Sequence, residues 1–253
     1  MSNSNEEMKA RLNLHAVLPV LEDLERLDRT FGGKGTGKAR GTLVMEVEGR
    51  PDLASTIWFK GGGVEVVTDN WRKPSIKLLF PSPEAMNASF AGGTERPRIR
   101  GFMGLLLLPK FMKLSKLLGK SLQGDEAPGG VKSRAALLMK VVIGSMEILA
   151  RHDPDVKTTI KELEGVMQFG IENDGPFHHL VFECGKVAMY GKKHSSPKST
   201  ILWADPETCV AVLSGKLDAM EALGQQKMKM EGDPGFAMQV GGIMGKVGEI
   251  LQP

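Results

Sequence analysis

Four groups of residues in this chain have the types and spacings that chemistry uses. Glu46 and Glu48 are carboxylates two apart in an apolar, β-branched run. Such a pair performs acid–base catalysis when an apolar pocket raises one of the two pKa values. A spacing of two on a strand instead puts both on one solvated face. His178 and His179 are the one adjacent histidine pair, and neighbours on a strand point to opposite faces, a poor chelate. His15, His152 and His194 are scattered. Cys184, beside the turn residue Gly185, would need a base at hand to act as a nucleophile. Cys209 stands outside any metal-type spacing with it, and the two thiols suit a reducing compartment. The run GGKGTGK, Gly32 to Lys38, nearly spells a phosphate-binding loop. Ala39 replaces the magnesium-binding hydroxyl residue, and the run leaves a helix and enters a strand, the reverse of what phosphate cradling needs. The sequence therefore predicts no catalytic residues, no metal, no cofactor and no enzyme.

Methionine is the chemistry the chain does offer. Met220, Met228, Met230, Met238 and Met244 fall close together near the end. Flexible thioether side chains adapt to irregular apolar shapes, which suits a lipid pocket; the plainer reading is core packing. Phe236, Val240 and Ile243 add apolar surface to the same final helix, and Gly241, Gly242 and Gly245 leave it thin. The expected ligand-binding residues are Leu213, Met220, Leu223, Phe236, Met238, Val240, Ile243 and Met244, with Phe102, Leu106, Phe111 and Met112 in the first half. Those last four lie in GFMGLLLLPKFMKLSKLLGKSL, Gly101 to Leu122. Lys110, Lys113, Lys116 and Lys120 line one helical face there, the pattern of a helix that docks transiently on an anionic membrane or lids a ligand. The plainer reading is a core-facing helix with a lysine-coated outside. The segment is too short and too charged to span a bilayer.

The elements that would position these residues recur. Pro83-Glu84 and Pro206-Glu207 are offset by 206 − 83 = 123, and so are Phe59 and Phe182, and Val64 and Val187. Thr42 to Glu48, Ser55 to Lys60 and Val64 to Thr68 read as antiparallel strands, with Gly61-Gly62-Gly63 as a hairpin. Val166 to Ile171, His179 to Glu183 and Val187 to Gly191 repeat them. Met1 to Lys9 reads as a loose polar terminus, and Leu12 to Phe31 as an amphipathic helix. Ser121 to Gly130 is the clearest linker. This predicts two diverged copies of one domain, 1–125 and 126–253, the first shortened between Phe90 and Gly101. Val131 to Arg151 is apolar nearly all round, so it is buried on several sides or lines a cavity or dimer contact.

The second copy carries a resemblance. Strand Thr200 to Trp203 is followed by Asp205-Pro206-Glu207 opening a helix, Ser214-Gly215-Lys216, strand Met228 to Gly232, then Gly235-Phe236-Ala237-Met238 opening a last helix. This order resembles the sterol carrier protein type 2 family of lipid-binding domains. The resemblance implies an α+β fold, each domain an antiparallel-dominated five-stranded sheet covered on one side by helices. It implies non-enzymatic binding and transfer of a fatty acid, acyl-CoA, phospholipid or sterol-like ligand between sheet and helices. The alternative is an adaptor subunit of an enzyme complex, with a partner enzyme or a homodimer and pockets filled by side chains. The net charge of +3 is too weak to argue nucleic acid. The start shows no secretion signal and the end no peroxisomal tripeptide, so a cytoplasmic protein is expected.

Overall fold

The structure, a computed structural model, describes residues 2–68, 73–124, 126–173 and 175–251. It divides into two units, Met1–Gly129 and Gly130–Gln252.

The first unit opens with α1 (Ser2–Leu12), which passes through a π-helical turn at Asn13–Val17 and a 3-10 turn at Leu18–Val20 into α2 (Leu21–Thr30). Pro19, which cannot donate a backbone hydrogen bond, sits where the helix tightens. The expected loose terminus is thus helical from Ser2 onward. Its polar side chains find distant partners: Arg11 pairs with Asp52 at 2.6 Å and Glu7 with Arg50 at 2.8 Å. Buried Asn13 donates to Asn87 at 3.0 Å. Pattern along the chain cannot show such partners, which is why the terminus reads as loose.

Then follow β1 (Arg40–Val47), β2 (Arg50–Lys60), β3 (Val64–Val67), β4 (Ile76–Phe80), α3 (Pro83–Phe90), β5 (Arg98–Arg100), a 3-10 turn at Leu105–Leu107 and α4 (Leu108–Gln123). The sheet order is β3-β2-β1-β4-β5, with β1 and β4 parallel and the other neighbours antiparallel. Leu43, Met45 and Val47 share the face of Ile57 and Phe59, where the Ser55 hydroxyl donates to the Leu14 carbonyl. Glu46 points the other way and pairs with Lys77 at 2.7 Å. Glu48 pairs with Arg98. Both carboxylates are thus held in ion pairs, Glu46 half-buried and Glu48 exposed.

The second unit runs α5 (Gly130–His152), α6 (Pro154–Ile160), β6 (Gly165–Ile171), β7 (Phe177–Glu183), β8 (Lys186–Tyr190), β9 (Ser199–Trp203), α7 (Pro206–Leu213), α8 (Ala219–Gly224), β10 (Met228–Gly232) and α9 (Pro234–Leu251). Its sheet order is β10-β9-β6-β7-β8, with β6 and β9 parallel. Strand for strand this is the path of the first sheet. The helices that open after the fourth strand are capped alike: Ser82 and Asp205 both have extended backbones, and each side chain accepts an N–H from the first turn. Both units are α+β, five antiparallel-dominated strands packed with helices.

Candidate functional site

The sheet of the second unit turns one apolar face toward its helices. Met167, Phe169 and Ile171 on β6 alternate inward, register with Leu180 on β7 and with Ile201 and Trp203 on β9, and are all buried. Period two builds this face from sequence alone. α9 lies along β9 and β10 and packs against α5. Its inward stripe is Phe236, Val240, Ile243, Val247 and Ile250, all buried, with the four–three spacing of a helix against a surface. The rings of Phe182 and Phe236 meet edge to face at 5.6 Å, and Phe169 stacks with Trp203 at 6.4 Å. The Asp233 carboxylate caps α9 by accepting the Phe236 N–H at 3.0 Å.

Two features set α9 apart from a plain core helix. A Cβ placed on Gly241, Gly242, Gly245 or Gly248 would meet nothing within 4 Å. These glycines are therefore not there for close packing, and each weakens the helix by about 1 kcal/mol relative to alanine. α9 is instead tethered near its far end, where Lys246 donates to Asp153 at 2.7 Å and to Asp155 at 3.0 Å. Asp153 also caps α6 through the N–H groups of Asp155 and Val156. Burial would raise the Asp153 pKa, but the Lys246 ammonium and these N–H donors outweigh it and hold the carboxyl below the usual aspartate range.

The Ser145 hydroxyl on α5 and the Trp203 indole N–H are buried and have no hydrogen-bond partner among the described residues. Burial, with the Asp205 carboxylate adding to it, pushes the Cys209 thiol up and keeps it protonated. Cys184 is exposed, and its N–H donates to Glu164 at 2.9 Å. His179, 2% exposed, faces away from Leu180 and donates from Nδ1 to the Lys192 carbonyl at 2.8 Å. It stacks on Tyr190 and meets His194 edge-on, fastening the following loop to the outer face. A polar crevice in the first unit is lined by Glu48, Leu79, Pro81, Arg96 and Arg98.

Of the expected ligand residues, Phe236, Val240 and Ile243 are brought together inside the second unit. Leu213, Leu223 and Met244 are half-buried. Met220 and Met238 are exposed and stand outside the apolar layer. In the first unit, Phe111 is buried where α4 packs along α2, whereas Phe102, Leu106 and Met112 are exposed. The lysine face of α4 is only partly open, since Lys113 pairs with Asp28 and Lys120 with Glu126. Sequence reading missed the buried Ser145 and Trp203 donors and the Lys246 tether. The Asp153-Pro154 cap signal was visible, but not its partner 93 residues away.

Residues 146–245 match the model of the SCP-2 sterol transfer family. The SCP-2 match lies wholly within the second unit and runs from the last two turns of α5 into α9. Among solved structures the chain is similar to sterol carrier protein domain 2 of Helicoverpa armigera, at 21% identity and a TM-score of 0.37, over 46% of this chain and 92% of that one. It is similar to sterol carrier protein 2 like 2 from Aedes aegypti at 19% identity and a TM-score of 0.32, over 41% and 94%. Sterol carrier protein 2 of Aedes aegypti, solved in complex with palmitate, aligns at 18% identity and a TM-score of 0.32, over 44% and 94%. No curated protein matches the chain. No helix among the described residues is long and apolar enough to cross a membrane.

Proposed function

We propose that the second unit is a non-enzymatic carrier that binds a lipid acyl chain between its sheet and helix α9, and that the first unit is a diverged copy of the same domain. The observation that carries this reading is the SCP-2 sterol transfer match, which spans the sheet face and most of the helix that covers it. The geometry supports it in three ways. The layer is apolar, so a chain buried there contributes roughly 25 cal/mol per Å² of apolar area. α9 is glycine-weakened and held by a terminal ion pair, so it opens at lower cost than a close-packed helix. Trp203 on the inward face of β9 and Ser145 on α5 are buried donors without a hydrogen-bond partner among the described residues, which suits the oxygens of a carboxylate, ester or sterol hydroxyl.

The test is uptake of palmitate by the full chain, read by native mass spectrometry and by displacement of a fluorescent fatty acid. One palmitate per chain supports the reading. An unchanged mass and no displacement overturn it. Ser145→Ala sharpens the test: it removes an unpartnered hydroxyl, so the ligand-free protein should keep or gain stability while palmitate binding weakens several-fold. The edge-to-face contact of Phe182 with Phe236 inside the layer favours a second reading, in which side chains fill the site and the protein serves as an adaptor for an enzyme partner or as a homodimer. That reading expects no uptake and a defined protein partner.

A further inference from the structure

The first unit carries a surface that the carrier reading does not use. Ile99, Phe102, Met103, Leu105, Leu106 and Met112 are 49%, 82%, 86%, 48%, 87% and 67% exposed. Single exposed apolar residues are ordinary, but four of these fall within five consecutive positions. Their display is built into the backbone. Gly101 has φ +85°, and a Cβ there would meet the Ser75 carbonyl oxygen at 2.8 Å; a Cβ on Gly104 would meet the Ile76 Cβ at 2.6 Å. The loop backbone therefore lies directly on the start of β4. Leu107 at the end of the 3-10 turn and Phe111, Leu114 and Leu118 on the helix that follows take the inward positions, leaving the side chains before them outside.

Charge says what covers this ridge. From Arg96 to Leu122 the chain has seven basic residues, Arg96, Arg98, Arg100, Lys110, Lys113, Lys116 and Lys120, and no acidic one. Glu48 pairs with Arg98 and Arg100, Asp28 with Lys113 and Glu126 with Lys120. Arg96, Lys110 and Lys116 are exposed to either side of the apolar group in sequence. An apolar ridge flanked by cations matches a bilayer surface, whose acyl boundary receives the apolar side chains while anionic head groups meet the basic ones. With helix α4 too short and too charged to span, the fit is to the surface.

We infer that the segment from Arg96 to Lys116 docks the protein on anionic lipid membranes, with Phe102, Met103 and Leu106 inserting and Lys110 and Lys116 meeting head groups. This inference is independent of the ligand layer in the second unit, because vesicle binding and palmitate uptake are separate measurements.

The experiment is flotation of the full chain with vesicles of phosphatidylcholine alone or mixed with phosphatidylserine, at low and high salt. The wild-type protein is expected to float with the mixed vesicles and to be released by salt. The exposed double substitution Phe102→Ser with Leu106→Ser should weaken this roughly tenfold or more, with an unchanged circular dichroism melt. Lys110→Glu with Lys116→Glu should weaken it by about fivefold or more per lysine on mixed vesicles. Wild-type protein that stays in solution with mixed vesicles overturns the inference, as does equal flotation of the variants. A wild-type dimer in the absence of lipid that the serine variant makes monomeric also overturns it, in favour of a second copy as the occupant.

Discussion

Phe102 and Phe236 stand at the same step of one topology, each shortly after the last strand of its sheet, yet one is 82% exposed and the other 4%. The difference is one of chain length. After β10 ends at Gly232, the first inward residue of α9 is Phe236, 236 − 232 = 4 positions on. After β5 ends at Arg100, the first buried apolar residue is Leu107, 107 − 100 = 7 positions on. The three extra residues form a turn, and the apolar side chains of that turn cannot share the inward stripe. From there the two stretches continue alike, inward at Leu107 and then at Phe111, Leu114 and Leu118 of α4 in one and at Phe236, Val240, Ile243 and Val247 of α9 in the other. One topology thus gives a covered apolar layer in the second unit and an apolar ridge on the surface of the first. A small change in loop length, rather than in composition, separates an inward surface from an outward one.

Truncating the two rings should separate the units most. Phe236→Ala should cost about 3–5 kcal/mol, because it opens a cavity against Phe182, while Phe102→Ala should stay within about 0.5 kcal/mol of wild type. Urea unfolding, with hydrogen exchange read separately in each unit, would decide; equal costs would mean that Phe102 is covered in solution. Glycine substitutions should come next and differ in sign. Gly104→Ala forces a Cβ into Ile76 and should destabilise the first unit by about 1–3 kcal/mol. Gly245→Ala meets open space and should stabilise α9 by up to about 1 kcal/mol, slowing its exchange and the release of any bound palmitate. A destabilised Gly245→Ala protein would show that the helix is packed where the structure leaves it open.

The caps should behave alike. Ser82→Ala and Asp205→Ala each remove one side-chain acceptor from a helix start and should cost about 1 kcal/mol in their own unit. A difference larger than the cap itself would argue against a shared domain plan. The smallest effect is with pH. Asp153 is depressed in the folded protein, so its ion pair stabilises above the unfolded aspartate value and is lost as pH falls through the folded one. Amide protection in α9 should therefore hold from neutral pH down and fail only below about pH 4, a step that Lys246→Ala should abolish. Asp52 in the first unit, hydrogen-bonded first by Arg50 and then by Arg11, is held further down, so α1 should outlast α9 on acidification.

Much of this molecule is legible along the chain. Alternation at Met167, Phe169 and Ile171 marks a strand, Asp205-Pro206 marks a helix start, and the 123-residue offset pairs elements of two sheets that take the same strand order. Local rules carry these because each depends on residues a few positions apart: side-chain period, cap chemistry and turn glycines. The same rules read Phe236, Val240 and Ile243 as one stripe, and the structure buries all three. Tertiary structure decided what lies between distant residues. It put Met220 and Met238 outside the layer, although their composition suits its interior, because their positions fall on the outer side of helices whose inward places are already filled. It joined Lys246 to Asp153 and Glu6 to Asn87, pairs that no periodicity announces. And it separated Phe102 from Phe236, since inside or outside is set by how far each ring lies from the last strand when its helix comes to rest on the sheet.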